Sequence, residues 1–212
     1  MSYDGIVSRH LNRRLSRPMA RGLAHTPATP NALTGFTLLL SVAVTLLIAT
    51  GFQVAGGIGI QLVSVIDGVD GELARLKAQS TRFGAIFDAV SDRYADAFML
   101  GGMTIYAVRF EGHPHAEAIG MLALAGSLII SYSRARIEAS IGPDAAAPSG
   151  RASDLVFGLA SRDVRSLIAA VGTVLGQCYI TLIVLAVLCG VTIAWRLVYL
   201  RITGVGAPTR TP

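Results

Sequence analysis

Apolar residues along this chain form long blocks separated by short polar breaks. A bilayer core about 30 Å thick needs about 20 apolar residues per spanning helix. Blocks of that kind occupy residues 32–50, 51–66 (continuing helically through an acidic stretch), 83–108, 116–132, 166–175 and 177–199. The fifth is short and extended by flanking polar residues, and only Gly176-Gln177 separates it from the sixth. Ahead of them, Ile6, Val7, Leu11, Leu15, Met19 and Leu23 recur near helical spacing with arginines between, which predicts an amphipathic helix lying in the membrane interface. The expected fold is therefore all-α and integral to the membrane: a six-transmembrane-helix bundle behind an N-terminal amphipathic interfacial helix. Residues 1–28 form the juxtamembrane segment, 29–203 the membrane domain and 204–212 a short polar tail.

Composition supports this reading. Of 212 residues, 52% are hydrophobic and 15% charged, against roughly 25% charged in soluble domains. Too few polar side chains exist to coat a water-facing surface, so soluble, disordered and disulfide-scaffold classes are excluded. No apolar segment precedes residue 31, so a cleavable signal peptide is not expected. Nor is a soluble appendage, an internal repeat or a low-complexity tract. Cys178 and Cys189 fall 11 apart in apolar helix, where they read as free, small packing residues.

Charge then sets the topology. Arg9, Arg13, Arg14, Arg17 and Arg21 precede the first span, Arg75, Lys77 and Arg82 surround the second connection, and Arg134, Arg136, Arg151, Arg162 and Arg165 surround the fourth. The first and fifth connections carry no Lys or Arg and the third only Arg109. The positive-inside rule puts both termini in the cytoplasm, with the protein in the cytoplasmic membrane. The pI of 9.7 is thus a topology signal. No basic stripe interleaved with aromatics occurs, so nucleic acid is not an expected partner.

Against this background six of the thirteen acids crowd between Asp67 and Asp96. On one helix Asp67, Asp70, Gly71, Ala74 and Arg75 span about 140° of a face. On the next, Gly84, Asp88 and Asp92 follow at i, i+4 and i+8, with Asp96 one turn further. A short loop between antiparallel helices would bring the faces together, so that four carboxylates converge near the cytoplasmic boundary. Five aspartates deep in the membrane and unpaired would cost roughly 12–18 kcal/mol, and Arg75 and Arg93 neutralise at most two. Surplus hard oxygen ligands of this kind select a divalent cation such as Mg²⁺, Mn²⁺ or Ca²⁺. A metal with free coordination positions points to phosphate chemistry.

The run Asp67-x-x-Asp70-Gly71-x-x-Ala74-Arg75, eight residues, then Gly84-x-x-x-Asp88-x-x-x-Asp92, resembles the CDP-alcohol phosphotransferase signature at every fixed position. Thr29-Pro30-Asn31-x-x-Thr34 is similar to the segment opening the first span in that family. The resemblance covers essentially the whole chain. It implies six transmembrane helices in a homodimer, two Mg²⁺ or Mn²⁺ ions, and transfer of a substituted phosphoryl group from a CDP-linked alcohol to a hydroxyl acceptor with release of CMP. By position, Asp67, Asp70, Asp88 and Asp92 are the implied metal ligands and Asp92 also the general base. Asn31, Thr34, Asp67, Asp70, Gly71, Ala74 and Arg75 are the implied donor-binding residues.

A second charge cluster, Arg134, Arg136, Arg162, Arg165 and Arg196, lies near the expected cytoplasmic ends of the last three helices. Guanidinium forks suit phosphate, and the set is similar to the acceptor pocket of the family's inositol-phosphate-using branch. That branch holds phosphatidylinositol-phosphate synthases and di-myo-inositol phosphate phosphate synthases. In the former a lysine commonly stands where Arg134 is, so a phosphorylated inositol acceptor remains beside a phosphatidylglycerol-phosphate-type or other CDP-diacylglycerol reaction. The donor is a lipid or a soluble CDP-alcohol. A cation transporter using the same carboxylates is the non-enzyme alternative, and its paired repeats and broken helices are not seen in the sequence.

Overall fold

The computed structural model describes residues 12–142 and 158–202. Ile6, Val7, Arg9, Leu11, Arg151 and the 204–212 tail lie outside them, and for Arg13 only the helical backbone is described. The described residues form helices joined by short links, with no strand among them. They form α1 (Arg13–Ala24), α2 (Pro30–Ala49), α3 (Gln53–Leu76), α4 (Arg82–Tyr106), α5 (Ala116–Ile141), α6 (Arg162–Val174) and α7 (Cys178–Ile202), with a π-helical turn (Ala107–Glu111) closing α4.

Local chemistry explains the boundaries. Thr29 caps α2, its Oγ1 accepting from the Ala32 N–H at 3.2 Å, and Pro30 supplies a preset φ at the first helical position. Thr81 does the same for α4, accepting from the Gly84 N–H at 2.9 Å. The separator between the last two helices is firmer than the sequence suggested. Gly176 adopts φ +65°, and the Gln177 N–H reaches back to the Gly172 carbonyl at 2.9 Å. That left-handed stop, which glycine makes without strain, ends α6 cleanly.

In the bundle α2 packs on α3 and α4, α3 on α6, α4 on α5, and α5 on α7. The common core contains Val44, Ile48, Ile60, Val63, Met99, Met103, Leu182 and Leu185. Small residues set the close approaches, as is usual where lipid rather than water surrounds a helix pair. A Cβ on Gly57 would stand 2.7 Å from the Ala170 carbonyl, so the α3–α6 crossing needs glycine there. Outward faces are apolar: Leu39 and Met121 are each 71% exposed. Lipid is the solvent that accepts such a surface, and the protein is integral to the membrane.

Among the described residues, α2, α3, α5 and α7 are long and apolar enough to cross a bilayer. Charges disqualify α4 and the 13-residue length disqualifies α6, although both occupy predicted apolar blocks.

Helix α1 lies along α3. Ser16 and Ala20 are buried, while Leu15 and Met19 are exposed. Asn12 donates to Ser64 Oγ and accepts from Gln61 Nε2, each at 3.1 Å. Lys77 Nζ donates to the Thr26 and Ala28 carbonyls at 2.6 and 2.7 Å, fastening the end of α3 to the α1–α2 link.

Candidate functional site

Helix α3 carries Asp67 and Asp70 one turn apart, and α4 carries Asp88, Asp92 and Asp96 on successive turns. Both helices pack on α2, which brings their acidic faces together. Carboxylate oxygens of Asp67, Asp88 and Asp92 lie within 4.8 Å of one another. Asp70 stands outside this trio. Thr34 Oγ1 donates to its Oδ2 at 2.5 Å and the Gly71 N–H to its Oδ1 at 2.5 Å, so both of its oxygens are turned to other donors. It remains within electrostatic reach of Asp67 and Asp88. The expected convergence of four carboxylates is thus a trio with a fourth held alongside.

The trio fits a divalent cation: its donors are hard carboxylate oxygens at a mutual distance one ion can bridge. Asp92 Oδ1 is buried and accepts no hydrogen bond, although Arg162 Nη1 lies 2.9 Å away. That oxygen therefore meets a positive charge but no hydrogen-bonding protein donor.

The expected donor-side residues flank the trio. Thr34 is buried on Asp70, Ala74 is half-buried and Asn31 is exposed at the start of α2. A Cβ on Gly84 would stand 3.0 Å from Asn31 Oδ1 and 3.1 Å from Thr81 Oγ1, so α2 approaches α4 closely there. Among the described residues, a Cβ on Gly71 would meet the Arg75 guanidinium at 3.9 Å and nothing nearer. Arg75 is exposed and pairs with Glu72 at 3.1 Å rather than with an aspartate.

Of the five arginines expected at the acceptor phosphate, two reach the acidic cluster and three stand on α5 and α7. Arg162, opening α6, reaches into the acidic cluster: Nη1 donates to Asp67 Oδ2 and meets Asp92, and Nε lies 3.5 Å from Asp96 Oδ1. Arg165, one turn on, is buried with Nη2 at 3.3 Å from Asp96 Oδ2. Arg196 is also buried, Nη1 donating to the Ile130 carbonyl at 2.8 Å and to Ser133 Oγ at 2.5 Å. Arg134 is exposed and paired with Glu138 at 2.8 Å, and Arg136 is exposed. The first two thus answer the carboxylates and the others sit on α5 and α7.

Asp96 lies one turn beyond the last position of the signature. Folding buries it, with Ser127 Oγ donating at 2.9 Å in addition to the two arginines. With Arg165 and Ser127 it lines a cavity between α4, α5, α6 and α7 that Met99, Leu100 and Leu185 complete. The signal was its place one turn past Asp92, but its arginine partners lie 66 and 69 positions away.

Residues 27–200 match the family described as CDP-alcohol phosphatidyltransferase, and the chain belongs to that family. It is 40% identical over 174 residues to a bifunctional IPC transferase and DIPP synthase of Rubrobacter xylanophilus, covering 82% of this chain and 37% of that protein. The chain thus spans under half the length of that relative. A phosphatidylinositol phosphate synthase of Mycobacteroides abscessus is 34% identical over 138 residues, 65% of this chain and 63% of the other. Among solved structures, Mycobacterium tuberculosis phosphatidylinositol phosphate synthase with CDP-DAG bound superposes with a TM-score of 0.71 at 28% identity, covering 87% of this chain and 92% of that one. The same enzyme in complex with manganese and citrate gives 0.70 at 27% identity, with 86% and 87% covered.

Proposed function

Starting from membership of the CDP-alcohol phosphatidyltransferase family, we propose that this protein is a divalent-metal-dependent transferase. It moves a substituted phosphoryl group from a CDP-linked alcohol to the hydroxyl of a phosphorylated inositol and releases CMP. The carrying observation is the trio Asp67, Asp88 and Asp92, gathered within 4.8 Å on the signature's own positions. The synthase names of the relatives and the CDP-DAG and manganese complexes of the structural neighbour support the donor, acceptor and metal classes.

In this reading Asp67, Asp88 and Asp92, joined by Asp70, hold Mg²⁺ or Mn²⁺. The bound cation supplies charge neutralisation for the diphosphate and the leaving CMP. Thr34 orients Asp70 through its 2.5 Å hydrogen bond. Asn31, Gly71 and Ala74 leave room for the cytidine at the α2–α3 side, and Arg75, free to swing from its exposed pair with Glu72, meets donor phosphate. Asp92 takes the acceptor's hydroxyl proton as its oxygen attacks phosphorus. Arg134, Arg136, Arg162, Arg165 and Arg196 serve the acceptor phosphate, Arg162 and Arg165 from positions fixed by Asp96.

The same reading gives six crossings with both termini cytoplasmic in the cytoplasmic membrane. Helices α4 and α6 then count among the crossings, and α1 lies in the interface with Leu15 and Met19 toward lipid. Residues 29–203 form the catalytic membrane domain, and the unit works as a homodimer. The deciding experiment reconstitutes purified protein and pairs CDP-diacylglycerol or CDP-inositol with inositol, inositol phosphate or glycerol phosphate. CMP release specific to inositol phosphate is expected. Release only with glycerol phosphate would move the assignment to the phosphatidylglycerol-phosphate-type reaction, and none with any pair would defeat it.

A further inference from the structure

We propose that Arg162 is a resident counter-ion of the aspartate site, one that a divalent cation displaces from Asp67 and Asp92 while Asp96 retains it nearby. The inference rests on the metal-site assignment above and adds the chain's own cation to it. Three carboxylates within 4.8 Å repel one another, and their partial burial strengthens that repulsion. Arg162 is the cation the fold inserts among them: its Nη1 serves both Asp67 and Asp92. Arg93 Nη2 stands farther off, 3.6 Å from Asp92 Oδ2. Arg75 is exposed and pairs with Glu72, not with the trio.

A divalent cation at the trio needs the same Asp67 and Asp92 carboxylates. It cannot share them at contact distance with a guanidinium nitrogen without like-charge repulsion, so the two cations exchange. Asp96 makes the exchange local. It stands outside the trio, keeps Arg162 Nε at 3.5 Å, and is itself fixed by Arg165 and Ser127. Arg162 can therefore leave two carboxylates while keeping a third. The trio is partly charge-compensated before metal arrives, and every binding event works against one internal positive charge.

The test is a Mn²⁺ titration by electron paramagnetic resonance on the full chain in nanodiscs. Arg162→Gln removes the competitor, and Mn²⁺ should bind about tenfold tighter, the screened end of what one unit charge at a few ångströms is worth. Arg162→Lys, which keeps the charge, should stay much closer to wild type. Asp96→Asn should weaken Mn²⁺ binding, because Arg162 loses its alternative partner, and that weakening should vanish in the Arg162→Gln background. Unchanged or weaker binding in Arg162→Gln, or an Asp96→Asn effect that persists undiminished in that background, would overturn the proposal. Wild-type protein gives a second readout that needs no variant to fold. In ¹⁵N-arginine-labelled protein, the Arg162 side-chain resonances, assigned with Arg162→Lys or by sequential labelling, should move on Mg²⁺ saturation. Resonances that stay fixed at saturation would refute the exchange. Failure of the underlying assignment looks different: wild-type protein would bind no Mn²⁺ at all, whatever stands at position 162.

Discussion

Two groups of carboxylates sit in this bundle, and they are answered in opposite ways. Glu111, in the π-helical turn after α4, caps α7: its Oε1 accepts from the Cys178 N–H at 2.5 Å and its Oε2 from the Tyr179 N–H at 2.9 Å. Those are donors that every helix start leaves unpaired, at the positive end of the helix dipole. His113 stacks on Tyr179 at 4.2 Å beside it. One acid meets two backbone donors, and both of its oxygens are used. In the trio of Asp67, Asp88 and Asp92, two of the three acids share the Arg162 guanidinium, and a buried oxygen of Asp92 accepts no hydrogen bond. An acid whose oxygens are all taken by the backbone holds the fold. Acids left undersupplied with donors hold something brought from outside.

That contrast can be broken experimentally. The largest effect should come from EDTA, which should abolish CMP release until Mg²⁺ or Mn²⁺ is restored; activity persisting without metal would contradict the reading of the trio. Asp92→Asn should lower turnover by about 10²–10⁴, the range of a lost general base. Glu111→Gln, assayed alongside, should turn over at the wild-type rate. Wild-type turnover in Asp92→Asn would remove the base assignment.

Stability should sort the other way. Glu111→Ala should cost about 1–2 kcal/mol in detergent unfolding, the scale of a lost helix cap, while leaving both substrate KM values alone. Gly84→Ala should raise the KM for the CDP donor, since the added methyl crowds Asn31 Oδ1 at 3.0 Å; a donor KM unmoved beside a raised acceptor KM would relocate the donor site. The smallest stability change should be that of Arg134→Ala, under about 0.5 kcal/mol, because its pair with Glu138 is exposed. A raised KM for the phosphorylated acceptor alone would still mark Arg134 as part of the acceptor pocket, and equal changes in both KM values would remove it.

Much of this architecture was readable before folding. The apolar blocks marked α2, α3, α4, α6 and α7 within a few residues, because a membrane-crossing helix needs a long apolar run. Spacing alone placed Asp67 with Asp70 and Asp88 with Asp92 on single faces, since helical periodicity is local. The extension of α5 from the expected residue 132 to Ile141 was not legible, because its last turns carry Ser133, Arg134, Arg136 and Glu138 and leave the apolar pattern. The stop at Gly176 was understated for a related reason: hydropathy does not register a left-handed glycine.

What the sequence determined by itself was therefore whatever depends on near neighbours: the lipid-facing helices, the caps at Thr29 and Thr81, and the acids in register on each of two helices. Tertiary structure decided the rest. Thr34 draws Asp70 aside from across 36 positions, and Arg162 enters the cluster from 95 positions beyond Asp67. Asp96 became a buried anchor in the same way. The physical reason is range. A helix fixes the direction of a side chain within a turn or two, but the partner of a charge is chosen by packing between distant helices, where a buried charge must find an opposite one.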